Sequence, residues 1–383
     1  AVGVGAAMVK PAGGAVLAQD ATAPQDPSGL ERWNLSEVGR RSPFENPTRS
    51  LRAPRPAGAS MTPLQDLQGI LTPSDLHYER HHSGVPVIDP NDYRLRIEGA
   101  VDRPTTFTLA DLQLLPERSE FRFLECGNNG GRAFAGIRAE QTPQDIDGRV
   151  STSEWTGVSL GLLFDHVGAQ DGATWFSAEG YDGDWTGSIP MSERWDDALI
   201  AYGQNGEAIR PEQGYPARLL LAGHPGGPNI KWLRRIEVHT SPVPENTAMA
   251  FSSIMGAKSI ITSPAYPTVL SEPGPVVITG LAWSSRGTIV KVDVSTDGGR
   301  TWEPADLQAP ALPRCQSRFR YRWNWDGGEA MLMSRAEDDT GYVQETLEAA
   351  RATREARTDV RHWNNNIRAW AIRADGSVVF GLS

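Results

Sequence analysis

Residues 121–132 read FRFLECGNNGGR. A strand-like run ends at Cys126, and a Gly/Asn loop with no bulky side chain follows at once. Glycine lets a backbone approach a large ligand, and asparagine tolerates the left-handed conformations such loops need. A thiolate held there serves as a nucleophile or as a metal ligand. The same residues admit a structural reading: Cys315 is the only other cysteine, and a Cys126–Cys315 disulfide would suit an oxidising compartment. Composition leaves both open.

Working outward, this pattern of strand and Gly/Pro turn repeats in YRLRIEGAV, ATWFSAEG, ARLLLAG and IKWLRRIEV, with helical stretches LADLQLL and LGLLFDHV between them. The alternation predicts a mixed α+β domain over residues 71–245. A Pro- and Ser-rich stretch, SPVPENTAMAFSS, reads as a linker. Beyond it, residues 246–383 turn to pure β texture, in VVITGLAWS, IVKVDVSTDGGRTWEPA, RFRYRWNWDGG and IRAWAIRADGSVVFG. Hairpin chemistry at Asp297-Gly298-Gly299 and Asp375-Gly376 predicts an antiparallel sandwich of immunoglobulin type. The helical run ETLEAARATREARTD reads as a surface insertion. In the other direction, residues 19–70 are Pro-, Arg- and Ser-rich, an extended arm with little to bury. Residues 1–18 resemble the remnant of an export signal, with Val16 and Ala18 at the small-residue positions. A flexible low-complexity tail is the alternative.

The 383 residues carry a net charge of −10, which argues against a nucleic-acid partner, since phosphate binding needs a basic surface. No apolar run reaches membrane-spanning length. Two cysteines make neither a disulfide framework nor an iron–sulfur site.

Two further constellations carry chemistry. Tyr78-Glu79-Arg80-His81-His82 places a guanidinium beside two imidazoles, which suits an oxyanion. No HExxH-type spacing favours zinc, and surface histidines are the plain alternative. Gln213 to Arg218 and Asn229-Ile230-Lys231 set cations into otherwise apolar strands. Such cations are normally solvated, but two in adjoining strands can face a phosphate or a pterin.

Taken in order, LTPSDLHYERHHSGVP, YRLRIEGAVDRP, FLECGNNGG, EWTGVSL, GYDGDWTGSIP, RPEQGYPARLLLAG, NIKWLRRIEV and VDVSTDGGRTW resemble the sulfite oxidase superfamily of molybdopterin enzymes. Within it, LQDLQGILTPSDLHYERHH, AYGQNGEAIRPEQGYP, SRFRYRWNWDGG and SRAEDDTGYVQ look most similar to the molybdenum subunits of bacterial sulfane dehydrogenases. The resemblance implies a mixed α/β molybdopterin-binding domain followed by an immunoglobulin-like β-sandwich dimerisation domain. It implies that Cys126 ligates molybdenum and that Arg80 meets the substrate oxyanion. Tyr78, Glu79, Arg80, His81 and His82 match the cofactor-binding stretch, and Asp182, Arg218, Asn229, Ile230 and Lys231 match pterin or phosphate contacts. Gln213 stands where other members carry a cofactor-binding histidine. Cys315 matches no family role and reads as structural.

Two departures matter. The loop reads Cys-Gly-Asn-Asn, which favours the sulfane branch. No tyrosine occurs between Tyr215 and Tyr266, where relatives place one near the substrate. The expected function is molybdenum-dependent oxidation of a carrier-bound sulfane sulfur in thiosulfate oxidation, in the periplasm after export, by the twin-arginine route if the protein folds around its cofactor first. The chain contains no Cys-x-x-Cys-His, so it attaches no c-type haem, and a c-type cytochrome subunit or carrier is the expected partner. Other expected associations are a sulfur-carrier protein, a homodimer through the C-terminal domain, and a heterotetramer. A periplasmic sulfite:cytochrome c dehydrogenase and a catalytically silent binding subunit remain the alternatives.

Overall fold

Two short antiparallel strands, β1 (Gly58–Met61) and β2 (Glu79–His81), pair Gly58 with His81 and Ser60 with Glu79. The computed structural model describes residues 39–51, 57–135, 138–184, 186–191, 197–243, 255–356 and 364–381. The export-signal stretch and the joining residues 244–254 lie outside the described residues. The chain divides into a unit ending at Asn46 and one from Pro47 to Ser383, and the architecture belongs to the second. The arm expected through residue 70 is part of the folded body from β1 onward. Met61, Leu64 and Leu67 are buried there, apolar side chains that gain by leaving water.

Strand β3 (Leu95–Gly99) precedes helix α1 (Leu109–Gln113). Thr108 caps α1 reciprocally: Asp111 N donates to Thr108 Oγ1 at 3.0 Å, and Thr108 N donates to Asp111 Oδ2 at 2.8 Å. Next come β4 (Glu117–Glu125), α2 (Gly131–Ala135), α3 (Pro143–Asp147) and β5 (Val150–Ser159), with β4 and β5 antiparallel and Glu125 opposite Val150. Helix α4 (Leu160–Val167) buries Leu160, Leu163, Phe164 and Val167 at helical spacing and stops at Gly168, φ +68°. The domain continues with β6 (Trp175–Gly180), β7 (Leu199–Gln204), β8 (Arg218–Leu220) and β9 (Leu233–His239). Strand β7 pairs with β5 and β8, while β9 runs parallel to β3 and antiparallel to β6. Phe164, Phe176, Leu219 and Ile236 share one buried cluster of these elements.

The C-terminal part is the expected sandwich. Its elements are β10 (Lys258–Ser263), β11 (Gly274–Trp283), β12 (Ile289–Ser295), β13 (Ser317–Trp325), β14 (Ala330–Asp338), α5 (Leu347–Ala356), β15 (Ala369–Ile372) and β16 (Val378–Gly381). One antiparallel sheet holds β10–β11–β13, the other β12–β14–β15–β16. Ile260, Ile278 and Phe319 of the first sheet and Val292, Leu332 and Trp370 of the second lie in one core cluster. Phe123, Ile146 and Val150 belong to that same cluster, so the apolar core is continuous between the cysteine strand and the sandwich. Helix α5 is the expected insertion. No helix among the described residues is long and apolar enough to cross a membrane.

Candidate active site

The strand β4 delivers Cys126 to a turn locked by hydrogen bonds. Cys126 N donates to Arg149 O at 3.0 Å, and Asn129 N donates to Cys126 O at 2.8 Å. The Asn129 side chain finishes the turn: Nδ2 donates to Glu125 Oε1 (2.9 Å) and Asp147 O (3.0 Å), and Oδ1 accepts from Arg149 N (2.9 Å). Asn129 is thus a structural clamp, while Cys126, Gly127 and Asn128 line a cavity of about 520 Å3.

Opposite this turn runs a Pro-Gly-Gly-Pro loop, residues 225–228. Gly226 N donates to Glu125 O at 2.7 Å. A Cβ placed on Gly226 would stand 3.2 Å from Tyr78 Oη and 3.5 Å from Cys126 Cα, so the loop backbone lies in close contact with the cysteine's turn. Asn229 holds the loop, with Oδ1 accepting from Leu221 N (2.7 Å) and Nδ2 donating to Pro225 O (2.8 Å).

The cavity wall is cationic, and its cation Arg218 is buried. Arg218 donates through Nη1 to Gln213 O (2.8 Å) and through Nη2 to Asn229 O (3.1 Å), leaving Nε buried without a partner. Burial lowers its pKa to about 10. Lys231 Nζ donates to Glu212 O at 2.9 Å, and burial, helped by Arg218, brings its pKa down to about 7. Burial likewise holds His77 neutral, its pKa lowered to about 3, with Nδ1 against Tyr78 O (3.0 Å) and Nε2 unpartnered. Tyr78 stays protonated, its pKa raised first by burial and then by Cys126. Gln213 Nε2 donates to Tyr78 O at 2.9 Å, an amide doing a tethering job.

Of the residues expected to bind, Tyr78, Arg80, His82, Cys126, Gln213, Arg218, Asn229, Ile230 and Lys231 line this one cavity. Glu79, His81 and Asp182 do not line it. Strand alternation sends Tyr78, Arg80 and His82 to one side and Glu79 and His81 to the other. There His81 Nε2 meets Glu79 Oε1 at 2.7 Å, and its Nδ1 accepts from Gly58 N at 3.2 Å. Asp182 is turned into its own loop, Oδ1 accepting from Asp184 N at 3.2 Å, and Asp184 and Thr186 take its place on the wall. His77, Asp184, Thr186 and the Gly226-Gly227 pair escaped the sequence reading. The paired prolines around two glycines are the one signal that pointed at this loop. Cys126 and Cys315 are both free thiols: Cys315 Sγ donates to Phe121 O at 3.0 Å, and burial pushes its pKa up to about 12. The disulfide alternative is not realised.

Among the described residues no group of three His, Cys, Asp or Glu side chains gathers to hold an ion. A metal held in an anionic group that brings most of its own ligands would need from the protein one soft ligand and neighbouring cations. One thiol, three cations and the unsatisfied His77 Nε2 and Arg218 Nε fit such a group.

Comparison with known proteins puts this chain among the molybdopterin-binding oxidoreductases. The family model "Oxidoreductase molybdopterin binding domain" matches residues 82–247, and "Mo-co oxidoreductase dimerisation domain" matches residues 250–368. Chicken (Gallus gallus) sulfite oxidase is 31% identical over 313 residues, 72% of this chain and 68% of that protein. Mouse (Mus musculus) mitochondrial sulfite oxidase is 29% identical over 79% of this chain, which spans 62% of the mouse protein's length. The crystal structure of the sulfane dehydrogenase SoxCD from Paracoccus pantotrophus superposes with a TM-score of 0.84 at 36% identity, covering 92% of this chain and 96% of that one. The chain belongs to the sulfite oxidase family of molybdopterin oxidoreductases.

Proposed function

We propose that this chain oxidises a sulfane sulfur carried on a protein, within thiosulfate oxidation, and passes the electrons to a c-type cytochrome. The observation that carries the redox reading is one thiol, Cys126, on the wall of a cationic cavity. The 36% identity to a sulfane dehydrogenase over nearly the whole chain supports the sulfane substrate. A bound molybdenum–pterin group would supply two-electron oxidation chemistry at sulfur, with oxygen originating from water.

The chain's own residues do the rest. Cys126 would ligate the metal. Arg218 and Lys231 would hold the anionic end of the cofactor, with the amide and backbone of Asn229 fixing the loop between them. Arg80, anchored by Nη1 to His81 O at 2.7 Å and Nη2 against His82 Nδ1 at 3.1 Å, would meet the substrate's developing negative charge. His77, held neutral, offers Nε2 to the cofactor without adding charge. Glu79, His81 and Asp182, expected to bind, would act from behind the wall. The C-terminal domain would pair two such chains, with a cytochrome subunit completing a heterotetramer, and the setting would be the periplasm after export.

Sulfite is the second reading, favoured by the chicken and mouse relatives. Competition at matched concentrations, read as cytochrome c reduction, decides between them. The expected result is preference for the carrier-bound sulfane. A far higher kcat/KM on free sulfite would make the chain a sulfite dehydrogenase. Purified protein with no molybdenum and no turnover on either would make it a silent binding subunit.

A further inference from the structure

Directly behind Cys126 lies a buried charge network to which the two domains contribute equally. Glu125, the residue before the cysteine, accepts from Lys258 Nζ (2.6 Å) and Asn129 Nδ2 (2.9 Å) on Oε1, and from Trp283 Nε1 (2.7 Å) on Oε2. Lys258 also stands 3.6 Å from Asp147 Oδ1, and Arg368 Nε donates to Asp147 Oδ2 at 3.0 Å. All four charged side chains are buried. Glu125 and Asp147 come from the cysteine's own domain, Lys258 and Arg368 from the sandwich. The charges cancel two against two.

We propose that Lys258 is a positioning residue for Cys126, acting through Glu125, so that the sandwich domain sets the geometry of the thiol as well as joining subunits. The chain of contact is short. Asn129 donates through its side-chain Nδ2 to the Glu125 carboxylate and through its backbone N to Cys126 O, so the carboxylate is tied to both ends of the thiol's turn. Glu125 O also receives Gly226 N, which sets the loop across the cavity. Remove the ammonium and a carboxylate is left in a dry interior with its cation gone, a state a buried group escapes by rotating or admitting water. Either movement takes the Asn129 clamp with it. The proposal rests on reading Cys126 as the metal's thiolate, and it goes beyond that reading by naming what aims the thiol.

The test uses the full-length, cofactor-loaded protein. Iodoacetamide labelling reports Cys126, because Cys315 is buried, and the sulfur shell in X-ray absorption at the molybdenum edge reports its bond. Lys258→Met should label at least fivefold faster and show an altered sulfur shell. The neutral pair Glu125→Gln with Lys258→Met, which removes the stranded charge and keeps an acceptor for Asn129, should return both readouts to within twofold of the parent. A folded Lys258→Met with the parent's labelling rate and sulfur shell overturns the proposal. If Lys258→Met does not fold, the neutral pair decides: parent-like labelling supports it, and failure to fold or fast labelling overturns it. Should Cys126→Ser keep full turnover, the ligand reading fails, while the labelling result still judges the positioning.

Discussion

The guanidinium carbon of Arg218 lies 5.1 Å from the centroid of the Trp155 ring, and both side chains are buried. Among the described residues Arg218 pairs with no carboxylate; its partners are the ring and two backbone carbonyls. A buried cation of this kind is held by dipoles and an aromatic face, and an anion entering the cavity completes its shell. Arg218→Met is therefore expected to lower molybdenum content per chain severalfold. It should also destabilise the fold by about 2–3 kcal/mol through the two orphaned carbonyls. Metal analysis beside thermal unfolding checks both.

Cys126→Ser is expected to load pterin and lose nearly all turnover, since a hard oxygen replaces a soft thiolate. The cofactor's absorption in the purified variant and steady-state cytochrome reduction measure the two parts separately. Parent-like activity at full molybdenum content removes Cys126 from the metal.

Arg80→Gln should keep molybdenum content near normal, raise KM and lower kcat. Loss of one charge-assisted contact in a half-buried site is worth roughly 1.5–3 kcal/mol, about tenfold to over a hundredfold in kcat/KM. Kinetics across the pH range give the answer, and unchanged values exclude a substrate role.

Lys231 makes stability depend on pH in a stated direction. Its pKa is about 7 in the folded chain against an ordinary 10.5, so between those values the unfolded chain holds one more proton than the folded one. Stability of the cofactor-free chain should therefore rise with pH across this window, with a slope of up to about 1.4 kcal/mol per unit from this group. Lys231→Met should remove that rise. An anionic cofactor favours the ammonium, so the loaded protein should show less of it. Thermal unfolding of both forms from pH 6 to 9 tests each statement.

Much of this protein is written in local sequence. The strand ending on Cys126, the Thr108 and Asp111 cap, the apolar stripe from Leu160 to Val167 and the Asp297 turn each rest on residues a few positions apart, where backbone preference decides the outcome. The order of motifs along the chain carries the family by itself. The line through Tyr78 to His82 was legible as a unit but not side by side. A strand alternates, and which half meets the cavity depends on β1, which covers Glu79 and His81.

What tertiary structure alone decided lies at long separation. Glu125 and Lys258 stand 133 positions apart, and Cys315 bonds to Phe121 across 194. No periodicity links such residues. Their pairing follows from two domains sharing one apolar core, which excludes water and leaves each buried charge only the partners that packing supplies. The unsatisfied Nε2 of His77 and the approach of Gly226 to Cys126 have the same origin. Sequence determined which residues could do chemistry; the packing of β4 between a glycine loop and the sandwich decided which of them share a cavity, because burial, unlike backbone preference, is a property of the assembled fold.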